Sequence, residues 1–221
     1  MRMKLVLAAA TALSLAATGI ASANLVETGL IAPTGAAAYS GGLNVVMSQY
    51  DTLTLPTLNS LVLTITTNEA ANVAVNNTSG TDYSFTNGTA SVNMLLTGPG
   101  GLSQLLTTTA TVASGTAFAG STTNFPGLTG TTSYTTTISG AALAPYEGLG
   151  NFSLTFLGLT GSGAFSGTSS APSNTLFFGG GANIGVNVTA DFQNAPEPAS
   201  LAVLGTAIAG IGIMRRRKRA A

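Results

Sequence analysis

Carboxylates are the only side chains between residues 24 and 195, here called the body, that carry a full charge at neutral pH. They are Glu27, Asp51, Glu69, Asp82, Glu147 and Asp191. Two carboxylates about 5 to 9.5 Å apart can hydrolyse a glycosidic bond, one as the acid and the other as base or nucleophile. No two of these residues are close in the sequence, and the chain has no tryptophan to line a sugar cleft. We therefore expect solvated surface carboxylates, no catalytic residue and a protein that is not an enzyme, with a carboxylate-dependent glycoside hydrolase as a weaker alternative.

The body lacks most other residues that catalysis uses. The chain has no histidine and no cysteine, and its seven lysines and arginines all lie before residue 5 or after residue 214. This excludes Ser-His-Asp, Cys-His and Ser-Lys catalytic groups in the body, as well as metal centres built on imidazole or thiolate. Because no cation is present to neutralise phosphates, the body is predicted not to bind nucleic acid. No cofactor is predicted.

Oxygen-rich and aromatic side chains offer weaker signals of ligand binding. Asp82 follows Asn76, Asn77 and Gly80, which could supply oxygens to calcium, but no Asp-x-Asp-x-Asp loop is present and a turn explains the cluster better. Asn-x-Ser/Thr triplets, the pattern of glycan acceptors, begin at Asn76, Asn77, Asn87, Asn151 and Asn187. The tyrosines are Tyr39, Tyr50, Tyr83, Tyr134 and Tyr146. At β spacing we expect them to pack with a wet hydroxyl, the alternative being a sugar-binding face.

Short alternating segments predict that the body is built from β-strands. In Leu61 to Thr67, the strongest candidate, Leu61, Leu63 and Ile65 point to one side and β-branched residues to the other. Asn183 to Phe192 alternates in the same way. Further candidates are Leu43 to Met47, Thr52 to Pro56, Leu102 to Val112, Ser133 to Ile138, Asn151 to Leu157 and Asn174 to Phe178. Nine or ten such strands predict an all-β fold, an antiparallel β-sandwich, with an open β-barrel as the alternative.

Glycine and proline predict where these strands end. Asn87-Gly88 is typical of a two-residue hairpin, since both residues tolerate the positive φ of a type I′ turn. We therefore expect Asp82 to Thr86 to pair with Thr89 to Leu96. The Gly179-Gly180-Gly181 triplet should separate two strands, and a single helical turn is expected over Gly140 to Glu147.

Domain boundaries follow from the periodicity. Asn24 to Gly42 is rich in Ala and Gly with little alternation, which predicts a flexible lead-in over residues 24–42. Regular structure is expected to begin near Leu43, so that residues 43–193 form the sandwich domain.

The first 23 residues have the order of a secretory signal peptide. Arg2 and Lys4 precede an apolar segment from Leu5 to Ile20. Small residues at Ala21 and Ala23 then match a signal-peptidase site. The pattern predicts an N-terminal signal helix, cleavage by signal peptidase before Asn24, and export of the body.

Residues 194–221 predict a second targeting segment. Pro196, Glu197 and Pro198 form an extended, accessible strip, because each proline fixes φ and biases the residue before it. Ala199 to Met214 carries no charge and would form a helix of roughly 24 Å, slightly short of a ~30 Å hydrocarbon core. The basic cluster that follows is Arg215, Arg216, Arg217, Lys218 and Arg219. Such a cluster stops translocation, which predicts a C-terminal membrane helix with the body outside.

The order of this tail resembles the PEP-CTERM sorting signal, which exosortase-type membrane enzymes recognise in bacteria that make extracellular polysaccharide. The resemblance rests on Pro196-Glu197-Pro198, the uncharged run and the terminal cations. It implies a transient anchor in the membrane, processing by an exosortase, and a place in the cell envelope, on the surface or in the extracellular matrix.

The body resembles the choice-of-anchor E domain family. Tyr50 to Leu63 is similar to the opening of that domain, in which an aromatic-Asp pair leads to a Leu-Thr-Leu strand. Leu95 to Leu102 and Gly148 to Ser170 are similar to its middle and end, so the resemblance spans roughly Val45 to Phe192. It implies an exported domain whose anchoring signal varies between members.

The sequence therefore predicts a structural or adhesive protein of an exopolysaccharide or biofilm matrix. Its partners would be signal peptidase and exosortase during export, the membrane before processing, and extracellular polysaccharide afterwards. A carbohydrate-binding module is the alternative. In either case uncharged Thr, Ser and Asn side chains on a rigid β scaffold would supply many weak hydrogen bonds.

Overall fold

A computed structural model describes residues 24–159 and 164–194. The expected signal helix and membrane helix, with Ala21, Ala23, Pro196 to Pro198 and Arg215 to Arg219, lie outside these residues. The described strands are β1 (Leu25–Gly35), β2 (Leu43–Ser48), β3 (Leu58–Asn77), β4 (Tyr83–Thr97), β5 (Ser103–Ala117), β6 (Thr122–Ser139), β7 (Asn151–Gly158), β8 (Ala164–Ser169) and β9 (Leu176–Asn194). Short 3-10 helices are formed by Ala36–Gly41, Pro99–Gly101 and Gly140–Tyr146. In the described part of the chain, no helix is long and apolar enough to cross a membrane.

The strands form two antiparallel sheets that pack face to face. Sheet A has the order β1-β9-β3-β6, and sheet B has the order β2-β7-β4-β5, with β8 paired to β4. Side chains from both inner faces, such as Leu63 of sheet A and Leu154 of sheet B, join one buried cluster. The all-β, antiparallel prediction is confirmed, and the sheets do not close into a barrel.

Alternation explains why β3 and β9 lie at the centre of sheet A. Leu61, Leu63 and Ile65 are buried on one face of β3, as predicted. Ile184 and Val188 occupy the same inner face of β9. β3 and β9 pair along almost their whole length, from Leu58↔Asn194 to Asn77↔Leu176. Their shared apolar face fixes the register, because a one-residue slip would turn it towards solvent.

The predicted hairpin at Asn87-Gly88 is wrong. β4 runs straight through these residues and pairs on one side with β5. On the other side its pairing with β8 shifts register between Thr86 and Thr89, which is a β-bulge. Asn87 has a φ of 53°, whereas Gly88 is not in the positive-φ region. A type I′ turn needs positive φ at both central residues, so one such residue gives a bulge instead.

Three further boundaries differ from the predictions. Regular structure begins at Leu25 and not near Leu43, because β1 pairs with β9 as the edge of sheet A, so the region expected to be a lead-in contains a strand. Thr52 to Pro56 forms turns, not a strand. The Gly179-Gly180-Gly181 triplet lies inside β9, paired with Ala74, Val73 and Asn72 of β3. The predicted helical turn is confirmed as the 3-10 helix Gly140–Tyr146.

Two seams join the sheets along their sides. At the β1–β2 seam, a methyl group built on Gly29 would lie 2.2 Å from Cγ1 of Val45. At the β5–β6 seam, a methyl group built on Gly130 would lie 2.2 Å from the carbonyl oxygen of Thr109. A methyl group at Gly130 would therefore force backbone to move, whereas one at Gly29 would displace a side chain.

The described chain begins and ends at the same end of the sandwich, which we call the exit end. Leu25 pairs with Phe192, and the Asn24 side-chain amide donates to Oε1 of Gln193 at 2.9 Å. β9 ends here at Asn194. Residues 195–221, which contain the predicted sorting signal, follow directly from this end of the chain.

Candidate functional site

The structure distributes the six predicted carboxylates among different environments. Glu27 on β1 and Asp191 on β9 are half-buried, and the Gln193 side-chain amide donates to Oδ2 of Asp191 at 2.5 Å. Asp51 and Glu147 lie at the exit end, where Tyr50 forms an isolated bridge with Glu147. Asp82 lies in the turn before β4 at the opposite end. Glu69 is on β3, eleven residues beyond Leu58, so it is about 36 Å along the strand from the exit end. Glu69 is therefore not brought together with Asp51 or Glu147.

Asp51 shapes the loop that follows β2. Its Oδ1 accepts a hydrogen bond from the Leu53 amide at 2.8 Å, and its Oδ2 accepts one from the Thr54 hydroxyl. These bonds hold the pKa of Asp51 below its usual range, with the Thr54 hydroxyl as the larger cause and the Leu53 amide next. The Leu55 amide also donates to the backbone oxygen of Asp51 at 3.0 Å. The carboxylate is thus engaged in fixing its own loop.

Glu69 is a buried carboxyl, and for this residue the prediction of a solvated surface position is wrong. Its side chain is 2 % exposed, and neither carboxylate oxygen forms a hydrogen bond with the described residues. Burial raises its pKa to about 7, and the backbone N–H of Ala110, which lies nearby but outside hydrogen-bond geometry, opposes that shift. The sequence contained the signal, since the two-residue period that places Leu63 and Ile65 inside also places Glu69 inside.

Threonines lie beside Glu69 along the strands where β3, β5 and β6 meet, since Thr67 precedes Glu69 by two residues and Thr132 follows its pairing partner Gly130 by two. The hydroxyls of Thr67 and Thr108 are hydrogen-bonded at 2.5 Å, and Thr67 also donates to the Thr132 carbonyl at 3.3 Å. Across the β5–β6 seam, the Thr132 hydroxyl donates to the Thr107 carbonyl at 2.9 Å. Glu69, Thr67 and Thr108 thus form a polar group within a mainly apolar core.

The oxygen-rich cluster before β4 is used to build turns. The side-chain amide of Asn77 is buried and donates to the Thr81 and Ala117 carbonyls at 2.8 and 2.9 Å. Oδ1 of Asp82 accepts from the Ala119 amide at 2.7 Å. No group of three or more potential metal-ligating side chains is found among residues 24–159 and 164–194. Burial of Asn77 also makes it a poor glycan acceptor, whereas Asn76, Asn87, Asn151 and Asn187 are exposed.

Three of the five tyrosines pack inside the sandwich, but the predicted wet hydroxyl is wrong for these three. Tyr39, Tyr50 and Tyr146 are fully buried, and each hydroxyl donates to a backbone carbonyl, of Ile184, Pro56 and Pro99 respectively. Burial raises the pKa of Tyr39 and of Tyr146 to about 12. Tyr83 and Tyr134 are half-buried. The tyrosines therefore do not form one common surface for sugar stacking.

The outer face of sheet A carries a group of hydroxyl and amide side chains, a feature that the sequence analysis did not locate. Four threonines stand in register across all four strands, since Thr28 pairs with Thr189, Thr189 with Thr64, and Thr64 with Thr135. We call this surface the hydroxyl face. It comprises Thr28, Thr64, Thr66, Asn68, Thr131, Ser133, Thr135, Asn187 and Thr189.

Cross-strand hydrogen bonds order the hydroxyl face. Thr64 and Thr135 hydroxyls are 3.3 Å apart, and those of Thr66 and Ser133 are 3.1 Å apart. The Thr131 hydroxyl donates to Oδ1 of Asn68 at 3.1 Å. Neighbouring strands are about 4.8 Å apart and equivalent residues along a strand about 7 Å apart, so the face presents a regular array of uncharged donors and acceptors.

The tail matches a family model described as the PEP-CTERM protein-sorting motif over residues 194–218. This match covers Pro196 to Pro198 and the start of the cation cluster. It indicates an exported protein that is processed by an exosortase and directed to the cell envelope or surface. The resemblance of the body to the choice-of-anchor E family stays a prediction.

Other comparisons add little about the body. No curated protein matches the chain. Among solved structures, the chain is similar to one of infectious bursal disease virus Gt strain, with 12 % identity over 81 % of this chain and 42 % of the viral chain, at a TM-score of 0.15. The similarity to a structure of the Gx strain has 8 % identity over 84 % of this chain and 48 % of the viral chain, at a TM-score of 0.12. The chain thus spans less than half the length of these viral chains.

Proposed function

We propose that this protein is a non-enzymatic component of an extracellular polysaccharide matrix, to which it adheres through its hydroxyl face. Before release, the apolar segment Ala199 to Met214 anchors it in the membrane, and an exosortase processes it close to Pro196. The sorting motif over residues 194–218 supports the export and processing steps. The matrix role is supported chiefly by one observation, the four-strand row of threonines on sheet A.

The chemistry of the hydroxyl face suits a hydrated, uncharged polymer. Hydroxyl groups act as both donors and acceptors, so they can match the hydroxyls of a sugar chain in more than one orientation. Each such bond contributes little in water, because it replaces a bond to solvent. A repeating polymer that meets many such groups at once, on many copies of the protein, gains effective affinity through multivalency. The body has no lysine or arginine, so acidic polysaccharide would gain no ion pairs.

The proposal can be tested by removing hydroxyls while keeping side-chain shape. In a triple variant, Thr28→Val, Thr64→Val and Thr135→Val remove three hydroxyls of the threonine row. A matched control carries Thr107→Val, Thr109→Val and Thr111→Val on the exposed face of β5 in sheet B. Co-sedimentation with the polysaccharide of the host should fall for the first variant and not for the control. Equal binding by all three proteins would contradict a role for the hydroxyl face.

A carbohydrate-binding module is the second candidate, favoured by the same regular array. A glycan array on the purified protein separates the two functions. Weak binding spread over several neutral polysaccharides supports the matrix role, whereas tight binding to one narrow sugar class that is lost in the Thr64→Val variant supports the module.

A further inference from the structure

The sorting tail leaves the sandwich beside a buried tyrosine. β9 ends at Asn194, two residues before Pro196. The Tyr50 hydroxyl is hydrogen-bonded to Oδ1 of Asn194 and donates to the Pro56 carbonyl at 2.8 Å. The Tyr50 ring packs on Phe192 with centroids 5.4 Å apart. The position of the exit is therefore fixed by packed and hydrogen-bonded groups.

The same tyrosine fixes two loops next to the exit. Its amide donates to the Tyr146 carbonyl at 2.8 Å, and its carbonyl accepts from the Gly148 amide at 2.9 Å. One residue earlier, the Gln49 side chain accepts from the Gly150 amide at 3.0 Å. The loop over residues 51–57 and the loop over residues 147–150 thus stand together around the point where the tail departs.

Each of these loops presents a leucine to solvent. Leu53 is 79 % exposed and Leu149 is 75 % exposed, the two highest values among the exposed large hydrophobic residues of the described chain. Single exposed hydrophobic residues are common on protein surfaces. These two, however, lie on loops held in place by side chains, since Asp51 binds the Leu53 amide and Gln49 binds the Gly150 amide. Binding to a lipid interface strengthens with the apolar area that enters the headgroup and acyl boundary, and these two side chains supply such area without needing to move.

We propose that the exit end is a membrane-docking surface, and that Leu53 and Leu149 enter the headgroup and acyl boundary of the bilayer while the tail is anchored. This inference rests on the proposed membrane anchoring. Ala199 is five residue steps beyond Asn194, and an extended chain of five steps spans at most about 18 Å. The sandwich is therefore held close enough to the bilayer for its end loops to touch it.

The negative charges at the exit end favour contact with a lipid surface that is electrically neutral. Asp51 and Glu147 stand in the two loops, and the body has no lysine or arginine to attract anionic headgroups. The docked geometry would also hold Pro196 to Pro198 at the membrane surface, where a membrane-embedded processing enzyme works. The loops would thus position the cleavage motif as well as the domain.

The chain contains no tryptophan, so a single introduced tryptophan can report on each position. Full-length Leu53→Trp and Leu149→Trp variants would be reconstituted in phosphatidylcholine vesicles with brominated acyl chains, which quench indole in the bilayer. Leu30→Trp is the matched control, because Leu30 is 73 % exposed but lies on the flank of sheet A. Phe118→Trp reports on the opposite end, and Leu204→Trp reports on the tail.

We expect a blue shift on vesicle binding and bromine quenching for Leu53→Trp and Leu149→Trp, and neither for Leu30→Trp and Phe118→Trp. Unquenched emission at positions 53 and 149, with the Leu204→Trp variant quenched, would overturn the docking surface while leaving the anchor intact. An unquenched Leu204→Trp variant would instead overturn the anchor and, with it, the docking surface. A blue shift at positions 53 and 149 before vesicles are added would assign these leucines to contacts within or between chains and overturn the lipid contact.

Discussion

Along the β1–β2 seam, Gly29 makes room for the side chain of Val45, whereas along the β5–β6 seam Gly130 makes room for the backbone of Thr109. The distances are equal, since a methyl group at either position would lie 2.2 Å from the nearest atom. The two contacted groups differ in how easily they can move. A valine side chain can shift, but the Thr109 carbonyl belongs to a strand that is hydrogen-bonded along its length to β4.

Each seam also has a glutamate, and the two glutamates are solvated differently. Glu27 is partly exposed, and its Oε2 accepts from the Ser48 amide across the β1–β2 seam at 2.9 Å. Glu69 is 2 % exposed and has no hydrogen bond to the described residues. A buried carboxyl without a partner avoids the cost of desolvation by keeping its proton. The same residue types thus make one tolerant seam and one that is sensitive to volume and to pH.

The largest effect is expected from Gly130→Ala. The new methyl group would meet the Thr109 carbonyl oxygen and carbon at 2.2 and 2.6 Å, so β5 and β6 must separate. Overpacking of this kind costs about 3 kcal/mol of unfolding free energy. Urea denaturation gives the value, with Gly181→Ala as the control, because no atom lies within 4 Å of a methyl group built there. If Gly130→Ala loses no more unfolding free energy than Gly181→Ala, the β5–β6 seam is not the more sensitive of the two seams.

The pH dependence of stability should be the next largest effect. The folded pKa of Glu69 is about 7 against an ordinary value of 4.5, so folding retains a proton that the unfolded chain releases. The contribution of protonated Glu69 to the unfolding free energy is fully present below pH 4.5 and is lost as the pH rises through 7. The loss amounts to roughly 3 kcal/mol at most. Unfolding free energies measured from pH 4.5 to 7.5 should therefore decline for the natural chain.

Glu69→Gln is the matched variant for this measurement, since its amide has nearly the same shape and does not titrate. Its unfolding free energy should stay level over the same pH range. Parallel curves for the two proteins would assign the pH dependence to other groups.

Gly29→Ala should cost less than Gly130→Ala, about 1 kcal/mol. The reason is that the Val45 side chain can move away. Combined with Val45→Ala, the cost of Gly29→Ala should shrink, because the smaller side chain makes room for the new methyl group. A double-mutant cycle measured by urea denaturation provides the coupling energy, and strictly additive effects would show that Val45 is not the group that is displaced.

The smallest effect is expected from Glu27→Gln, under about 0.5 kcal/mol. The amide oxygen of glutamine can still accept from the Ser48 amide, and the site is partly open to water. The unfolding free energy of this variant should also keep the pH dependence of the natural chain. A flattened pH profile would contradict the assignment of the pH dependence to Glu69.

Alternation predicted the strands well, but it could not predict which residues meet across the sandwich. Leu61, Leu63 and Ile65 define the inner face of β3, and the same parity applied to Glu69 predicts its burial. The close approach at Gly130 depends on how the edges of two sheets come together, which no local pattern encodes.

Turns predicted from glycine and asparagine were wrong where pairing with neighbouring strands determined the local backbone conformation. Asn87-Gly88 could form a turn or a bulge, and pairing of β4 with both β5 and β8 selected the bulge. The Gly179-Gly180-Gly181 triplet remains extended because β3 pairs with it. The threonine row was similarly hidden, since Thr28, Thr64, Thr135 and Thr189 become neighbours only through strand register.

Processing of the C-terminus tests the central claim most directly, because export, anchoring and release all depend on it. The intact mass of the protein recovered from the surface of its host should be measured with and without the exosortase gene. We predict a mature form that ends close to Pro196 in the presence of the gene, and a longer form that retains Ala199 to Arg219 in its absence. A full tail through Arg219 in surface protein from both strains would contradict the account.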